Sequence, residues 1–112
     1  MKVTINRSAL AEALGLITSV VPTRTPKPIL KCLRIAASNT EMRIQATNLE
    51  LGLDYLVSEV EVGAEGETVV EAERLAAIVR ESAEDVLVLE SKESTCEIRG
   101  ADSHFTVYSQ DP

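Results

Sequence analysis

The sequence predicts an α+β domain made from one supersecondary unit used twice. Val3-Thr4-Ile5-Asn6-Arg7-Ser8-Ala9-Leu10-Ala11-Glu12-Ala13-Leu14 and Thr68-Val69-Val70-Glu71-Ala72-Glu73-Arg74-Leu75-Ala76-Ala77-Ile78-Val79 share one format. Each is a short β-rich run that turns directly into a helical pattern, with apolar residues three and four apart. Each is followed by about three strand-like segments, so the strand–helix–three-strand unit is duplicated. The 112 residues suffice for one modest core and are too few for two ordinary domains. The expectation is a single domain, 1–112, with repeats of about 1–62 and 66–112.

The first unit opens with a strand from Lys2 to Asn6. A helix is predicted from about Arg7 to Val20, with Asn6 as its N-cap and Leu10, Leu14, Ile17 and Val21 as its apolar stripe. Pro22 stops it. Thr23-Arg24-Thr25-Pro26-Lys27-Pro28 is a loop, because its two prolines remove donors and keep the chain extended. Leu33, Ile35 and Ala37 share one face of the next strand. Met42, Ile44 and Ala46 alternate with Arg43, Gln45 and Thr47 in the one after, with a hairpin turn at Ser38-Asn39-Thr40. A long run follows in which Leu49, Leu51, Leu53, Tyr55 and Val57 are in phase but Val60 and Val62 are not. A bulge or bend near Ser58 accounts for that slip. Gly63-Ala64-Glu65-Gly66 reads as the mid-chain loop.

The second unit repeats the plan. Thr68 to Val70 is a strand, and Glu71 to about Ser82 a helix with Leu75, Ile78 and Val79 on one side. Glu71 and Glu73 in its first turn suit the macrodipole. Val86-Leu87-Val88-Leu89 is apolar at every position, which predicts a strand covered on both faces. Thr95–Arg99 and His104–Ser109 form a closing hairpin around Gly100-Ala101-Asp102. The total is two helices and about eight strands. Singly striped helices and mostly alternating strands predict two helices packed side by side on one face of curved antiparallel sheet. The outer faces of the helices then form the surface open to a ligand.

The net charge of −7 argues against nucleic acid if charge is spread evenly. It is not: between Glu12 and Glu41 there is no acidic residue, while Arg24, Lys27, Lys31 and Arg34 fall there. An acidic body with one basic stretch is compatible with local contact to a polyanion. No apolar run approaches the roughly 20 residues of a membrane span, and no secretory segment opens the chain. Cys32 and Cys96 lack metal-ligand spacing and read as buried thiols in a reducing cytoplasm.

Signals for catalysis are weak. The single histidine, His104, sits in a predicted strand and reads as an edge-strand surface residue. Motifs for zinc binding, nucleophile elbows and phosphate loops are absent. Glu84-Asp85 suits a helix–strand turn better than a metal site. The expectation is no enzyme activity, no metal and no cofactor. Basic residues are the better candidates: Arg24 and Lys27 in the stiffened loop, Arg74 and Arg80 on the second helix. The spacing of Arg74 and Arg80 leaves them about 120° apart around the axis. Taken alone, both read as ordinary helix-surface arginines, Arg80 pairing with Glu84 one turn on.

Met1-Lys2-Val3-Thr4-Ile5 with Leu10, then Arg24-Thr25-Pro26-Lys27-Pro28-Ile29-Leu30, then Thr47-Asn48-Leu49-Glu50, resemble the first domain of the bacterial replicative sliding clamp family, the beta subunits of DNA polymerase III. Ser103-His104-Phe105-Thr106-Val107-Tyr108-Ser109 resembles that domain's last strand. The resemblance implies a DNA-clamp fold, in a subunit of three such domains of which this chain is the first. It also implies that two subunits close head to tail into a homodimeric ring around double-stranded DNA, with helices lining the hole and sheets forming the rim. Such a ring is a processivity factor in the cytoplasm. It tethers DNA polymerase III subunits, is placed by an ATP-using clamp loader, and contacts DNA without reading sequence.

Residue by residue, the resemblance assigns Arg24, Arg74, Arg80 and Lys27 to DNA and Phe105 and Val107 to the strand that meets the neighbouring subunit. Glu12 and Glu73 depart from positions that are commonly basic in relatives, which weakens the lining. The family's pocket for partner peptides belongs to later domains. An alternative from another class is a stand-alone α+β interaction module that pairs through an edge strand and never touches DNA. A reading frame continuing into further copies of the unit favours the clamp, and a stop codon after Pro112 favours the module.

Overall fold

The structure, a computed structural model, describes residues 1–19, 31–47, 52–58, 60–82, 84–101 and 103–108. Its elements are β1 (Lys2–Asn6), α1 (Arg7–Thr18), β2 (Cys32–Ser38), β3 (Glu41–Thr47), β4 (Gly52–Val57), β5 (Val60–Ala64), β6 (Gly66–Glu71), α2 (Ala72–Glu81), β7 (Val86–Ser91), β8 (Thr95–Arg99) and β9 (His104–Tyr108). The strands form two antiparallel sheets, ordered β5-β1-β7-β8-β9 and β4-β3-β2-β6.

The duplication acquires a physical meaning in this order. Strand β1 leads the first unit but pairs with β7 of the second, while β6 leads the second unit and pairs with β2 of the first. Each leading strand completes the other unit's sheet. The two halves therefore cannot bury their inner faces separately, and one core serves both.

Local chemistry starts the first helix as the sequence predicts. Asn6 sits in extended conformation, and its side-chain oxygen accepts from Ser8 N at 2.9 Å and Ala9 N at 3.3 Å. Leu10, Ala13, Leu14 and Ile17 are buried, and Val20, Val21 and the proline loop lie outside the described residues. Helix α2 has no side-chain N-cap bond. It buries Ala72, Leu75 and Val79, whereas the predicted Ile78 is only partly covered. At its end Ser82 turns extended, and its N–H donates to Ile78 O and Val79 O. The helices pack against each other, and α1 also rests on β3 and β4.

Register aligns the buried rows. Ile44 of β3 pairs with Ile35 of β2 and Tyr55 of β4, and Ile35 pairs in turn with Thr68 of β6. In the larger sheet Val62, Val3, Leu89, Ile98 and Phe105 form one row. Val3, Ile5, Leu10, Leu14, Ile17, Ile35, Ile44, Leu75 and Leu89 are at most 1% exposed. Each such side chain contributes about 1.5–3 kcal/mol by leaving water.

Three expectations need correction. The run read as one bulged strand is two strands in different sheets, since β4 pairs with β3 and β5 pairs with β1. The change of phase at Ser58 is thus a change of sheet, each strand facing the core from its own side, and the described residues hold nine strands where about eight were expected. The expected loop at residues 63–66 is a tight strand-to-strand joint with only Glu65 between β5 and β6. There Gly66 takes φ 153°, and a Cβ on it would lie 3.0 Å from the amine of Met1. Strand β7 is covered on one face only: Leu87 and Leu89 are buried, but Val86 is 51% exposed. Beneath the helices lie the two antiparallel sheets. Among the described residues no helix is long and apolar enough to cross a membrane.

Candidate nucleic-acid interface

The distribution of ion pairs separates two kinds of arginine. On the sheets, the arginine side chains stand on the outer faces and are engaged. Arg34, between buried Leu33 and Ile35, pairs with Glu67 and donates to Gln45 Oε1 at 2.8 Å. Arg43 pairs with Asp54 at 2.8 Å and Arg99 with Glu90 at 2.7 Å. Lys92 lies 2.6 Å from Glu97, an ion pair by distance although the angle departs from hydrogen-bond geometry. His104 Nε2 lies 2.7 Å from the other oxygen of Glu97. On the helices the picture reverses. Arg74 and Arg80 are exposed, and among the described residues neither forms an ion pair.

Arg34 therefore leaves the basic stretch seen in the sequence, because it points outward from a sheet and is neutralised there. Arg24 and Lys27 lie outside the described residues. Arg80 and Arg74 take different flanks of α2, as the 120° separation predicts. Arg80 lines a groove of about 220 Å³ between the helices, together with Thr18, Glu73, Ala76 and Ala77. Arg74 does not line it. The expected pairing of Arg80 with Glu84 does not form. The helix ends at Glu81, and the Glu84 carboxylate turns instead to the β8–β9 hairpin, where it accepts from the N–H of Ala101.

One basic residue escaped the sequence reading. Arg7 opens α1, its backbone N–H donating to Asp85 O at 2.9 Å, and its side chain also has no ion pair among the described residues. The two helices together carry Arg7, Arg74 and Arg80 against Glu12, Glu73 and Glu81. They are neutral as a pair, so the whole net charge of −7 resides elsewhere in the chain. The exposed face of α1 carries Ser8, Glu12, Gly15 and Leu16, the last 52% exposed.

Strand β9 is an edge of the five-stranded sheet. Phe105 ends the apolar row through Ile98 and stays 43% exposed, since no described strand lies beyond it. Val107, expected at the same interface, is 1% exposed and belongs to this chain's own core, opposite Cys96. Its side chain is not available to a neighbour. Tyr108, 74% exposed on the outer face, is the second large apolar group on this edge, and alternation along β9 would have located it.

Chemistry elsewhere is muted. Cys32 and Cys96 are both buried. Burial pushes the Cys96 thiol up to about 11, and burial with the charge of Glu71 raises Cys32, so neither is a ready nucleophile. Among the described residues no three His, Cys, Asp or Glu side chains gather as a metal site.

The comparisons with known proteins bear on this geometry directly. Residues 1–112 match the family described as DNA polymerase III beta subunit, N-terminal domain. The chain belongs to that family. The beta sliding clamp of Rickettsia felis is 28% identical over 110 residues, covering 97% of this chain and 29% of that protein. The solved structure of Caulobacter crescentus pol III beta superposes with a TM-score of 0.93 at 28% identity, covering 99% of this chain and 30% of that one. A sliding clamp, DNA polymerase III subunit beta, from Bartonella birtlesii reaches 0.92 at 31% identity over 97% of this chain and 29% of its own. The chain thus spans about 30% of the length of the beta subunits it matches. The α+β clamp architecture, with two helices over two antiparallel sheets, is that of these beta subunits.

Proposed function

We propose that this chain is the first of three clamp domains in a ring that encircles duplex DNA and tethers the replicative polymerase, with the α1–α2 layer facing the DNA. The observation that carries the orientation is the sorting of arginines. Those on the sheets are spent on carboxylates, while Arg74 and Arg80 on the helices have no ion-pair partner among the described residues. A sliding contact must avoid base-specific hydrogen bonds, each of which would act as a trap. Long cationic side chains touching phosphates give attraction without sequence register. The acidic remainder of the chain discourages DNA from binding elsewhere. Arg24 and Lys27 are proposed to add to the same surface, and the exposed edge of β9 around Phe105 to continue the ring into a neighbouring subunit. In this role the chain performs no reaction and acts in the cytoplasm, with the loader and polymerase engaging the longer protein.

The test is titration of the isotope-labelled chain with short duplexes of differing sequence, followed by NMR. Weak binding is expected, with shifts centred on α2. Log affinity should fall with log salt by about 0.9 per phosphate contacted. Arg80→Ala should weaken binding equally for every sequence. Tight, sequence-selective binding, or shifts confined to the outer sheet faces, would overturn the assignment.

A further inference from the structure

The groove between α1 and α2 holds a carboxylate that a simple phosphate-binding surface would not contain. Glu73 and Arg80 both line it, with Ala76 and Ala77 in the same lining and Thr18 contributed by α1. Seven residues along a helix span about 10.5 Å and return to within about 20° of the starting direction, so the two charges share one stripe. Both side chains are exposed, and neither has an ion-pair partner among the described residues. They do not neutralise each other by contact. The residues between them on the stripe are alanines, too short to fill the space or to screen the two charges.

We propose that Glu73 and Arg80 act as a pair within this groove, Glu73 limiting how tightly a DNA phosphate rests on Arg80. The inference rests on the DNA-facing reading of the helices. Arg80 attracts the phosphate, and Glu73, one groove-length away on the same stripe, repels it. Across roughly 10 Å of water a single like charge changes affinity by about twofold at low salt. The repulsion fades as the Debye length shortens. Glu73 thus keeps the attraction of Arg80 from becoming a resting place, which suits a surface that must move along DNA.

A double-mutant cycle separates this pairing from a general charge effect. Wild type, Glu73→Gln, Arg80→Ala and the double variant are each titrated with a short duplex of random sequence at low salt, with NMR shifts as the readout. Glu12→Gln removes the same charge from α1, at a residue lining a different groove beside Tyr55 and Leu56. The expected result is about twofold tighter binding for Glu73→Gln when Arg80 is present, no gain when Arg80 is alanine, and a smaller gain for Glu12→Gln. An equal gain in both Arg80 backgrounds, or an equal gain from Glu12→Gln, overturns the pair while the DNA assignment stands. No binding by wild type, or no loss on Arg80→Ala, removes the DNA assignment and the pair with it.

Discussion

The carboxylate of Glu84 accepts the backbone N–H of Ala101, joining the segment after α2 to the β8–β9 hairpin across 17 residues of sequence. Gly100 makes room for it, because a Cβ there would run into the Cγ and carboxylate of Glu84. Gly100→Ala is expected to expel Glu84 and lower unfolding stability by about 1 kcal/mol, the worth of a typical hydrogen bond. In a Glu84→Ala background the same substitution should cost much less. Urea unfolding of the four chains measures that coupling, and additive losses would show that Gly100 matters for another reason.

Gly66 joins β5 and β6 with φ 153°, where side chains are strained, and the Met1 amine closes the space in front of it. Gly66→Ala should cost about 1–3 kcal/mol. Glu65→Ala, one residue earlier and exposed, removes the carboxylate that accepts from Asn39 N at 2.7 Å and should cost less. Thermal unfolding of both variants ranks them, and the reverse order would remove Gly66 as the conformational constraint.

Glu97 stands between Lys92 and His104 on the outer face of the larger sheet. The close contact with Lys92, then the one with His104, holds its carboxyl below the ordinary glutamate range, and the contact with Glu97 raises Lys92 above the ordinary lysine range. A carboxylate with a lowered folded pKa gives stability that is complete above its unfolded pKa and lost as pH falls through the folded value. A lysine with a raised pKa gives stability that is complete below its unfolded pKa and lost as pH rises through the folded one. Glu97→Gln should therefore lower the urea midpoint near neutral pH and converge with wild type on strong acidification. A constant difference across the acid range would show that the ion pairs do not contribute.

Much of this architecture was legible because local chemistry and the global fold agree. Asn6 precedes the Leu10, Leu14 and Ile17 stripe and caps it, as pattern and cap together require. The misreadings along the strands share one cause: period-2 alternation reports which face a residue takes and not which sheet, or how deep. Tyr55 and Val57 against Val60 and Val62 looked like a slipped register because nothing in the sequence marks a crossing between sheets. Phe105 and Val107 share a face, yet one is 43% exposed at the rim and the other 1% exposed in the core. Arg34 and Arg80 are the same residue type, and only tertiary neighbours decide that Glu67 occupies one while the other stays open.

That difference in depth changes how the assembly edge is to be tested. Val107→Ala removes buried methyl groups opposite Cys96 and should cost about 2 kcal/mol of folding stability, whatever happens between subunits. Phe105 is 43% exposed and ends its apolar row at an open edge, so Phe105→Ala should leave folding of the 112-residue chain nearly unchanged. In the longer beta subunit, a partner strand docking on β9 would cover Phe105 and satisfy the edge's unpaired N–H and C=O groups. Phe105→Ala alone is then expected to weaken dimerisation, and Tyr108→Ala on the opposite face to act less strongly. Sedimentation of the longer subunit measures dimerisation, and urea unfolding of this chain controls for stability. A dimer constant unchanged by Phe105→Ala, with Val107→Ala destabilising as expected, would remove this edge from the ring interface.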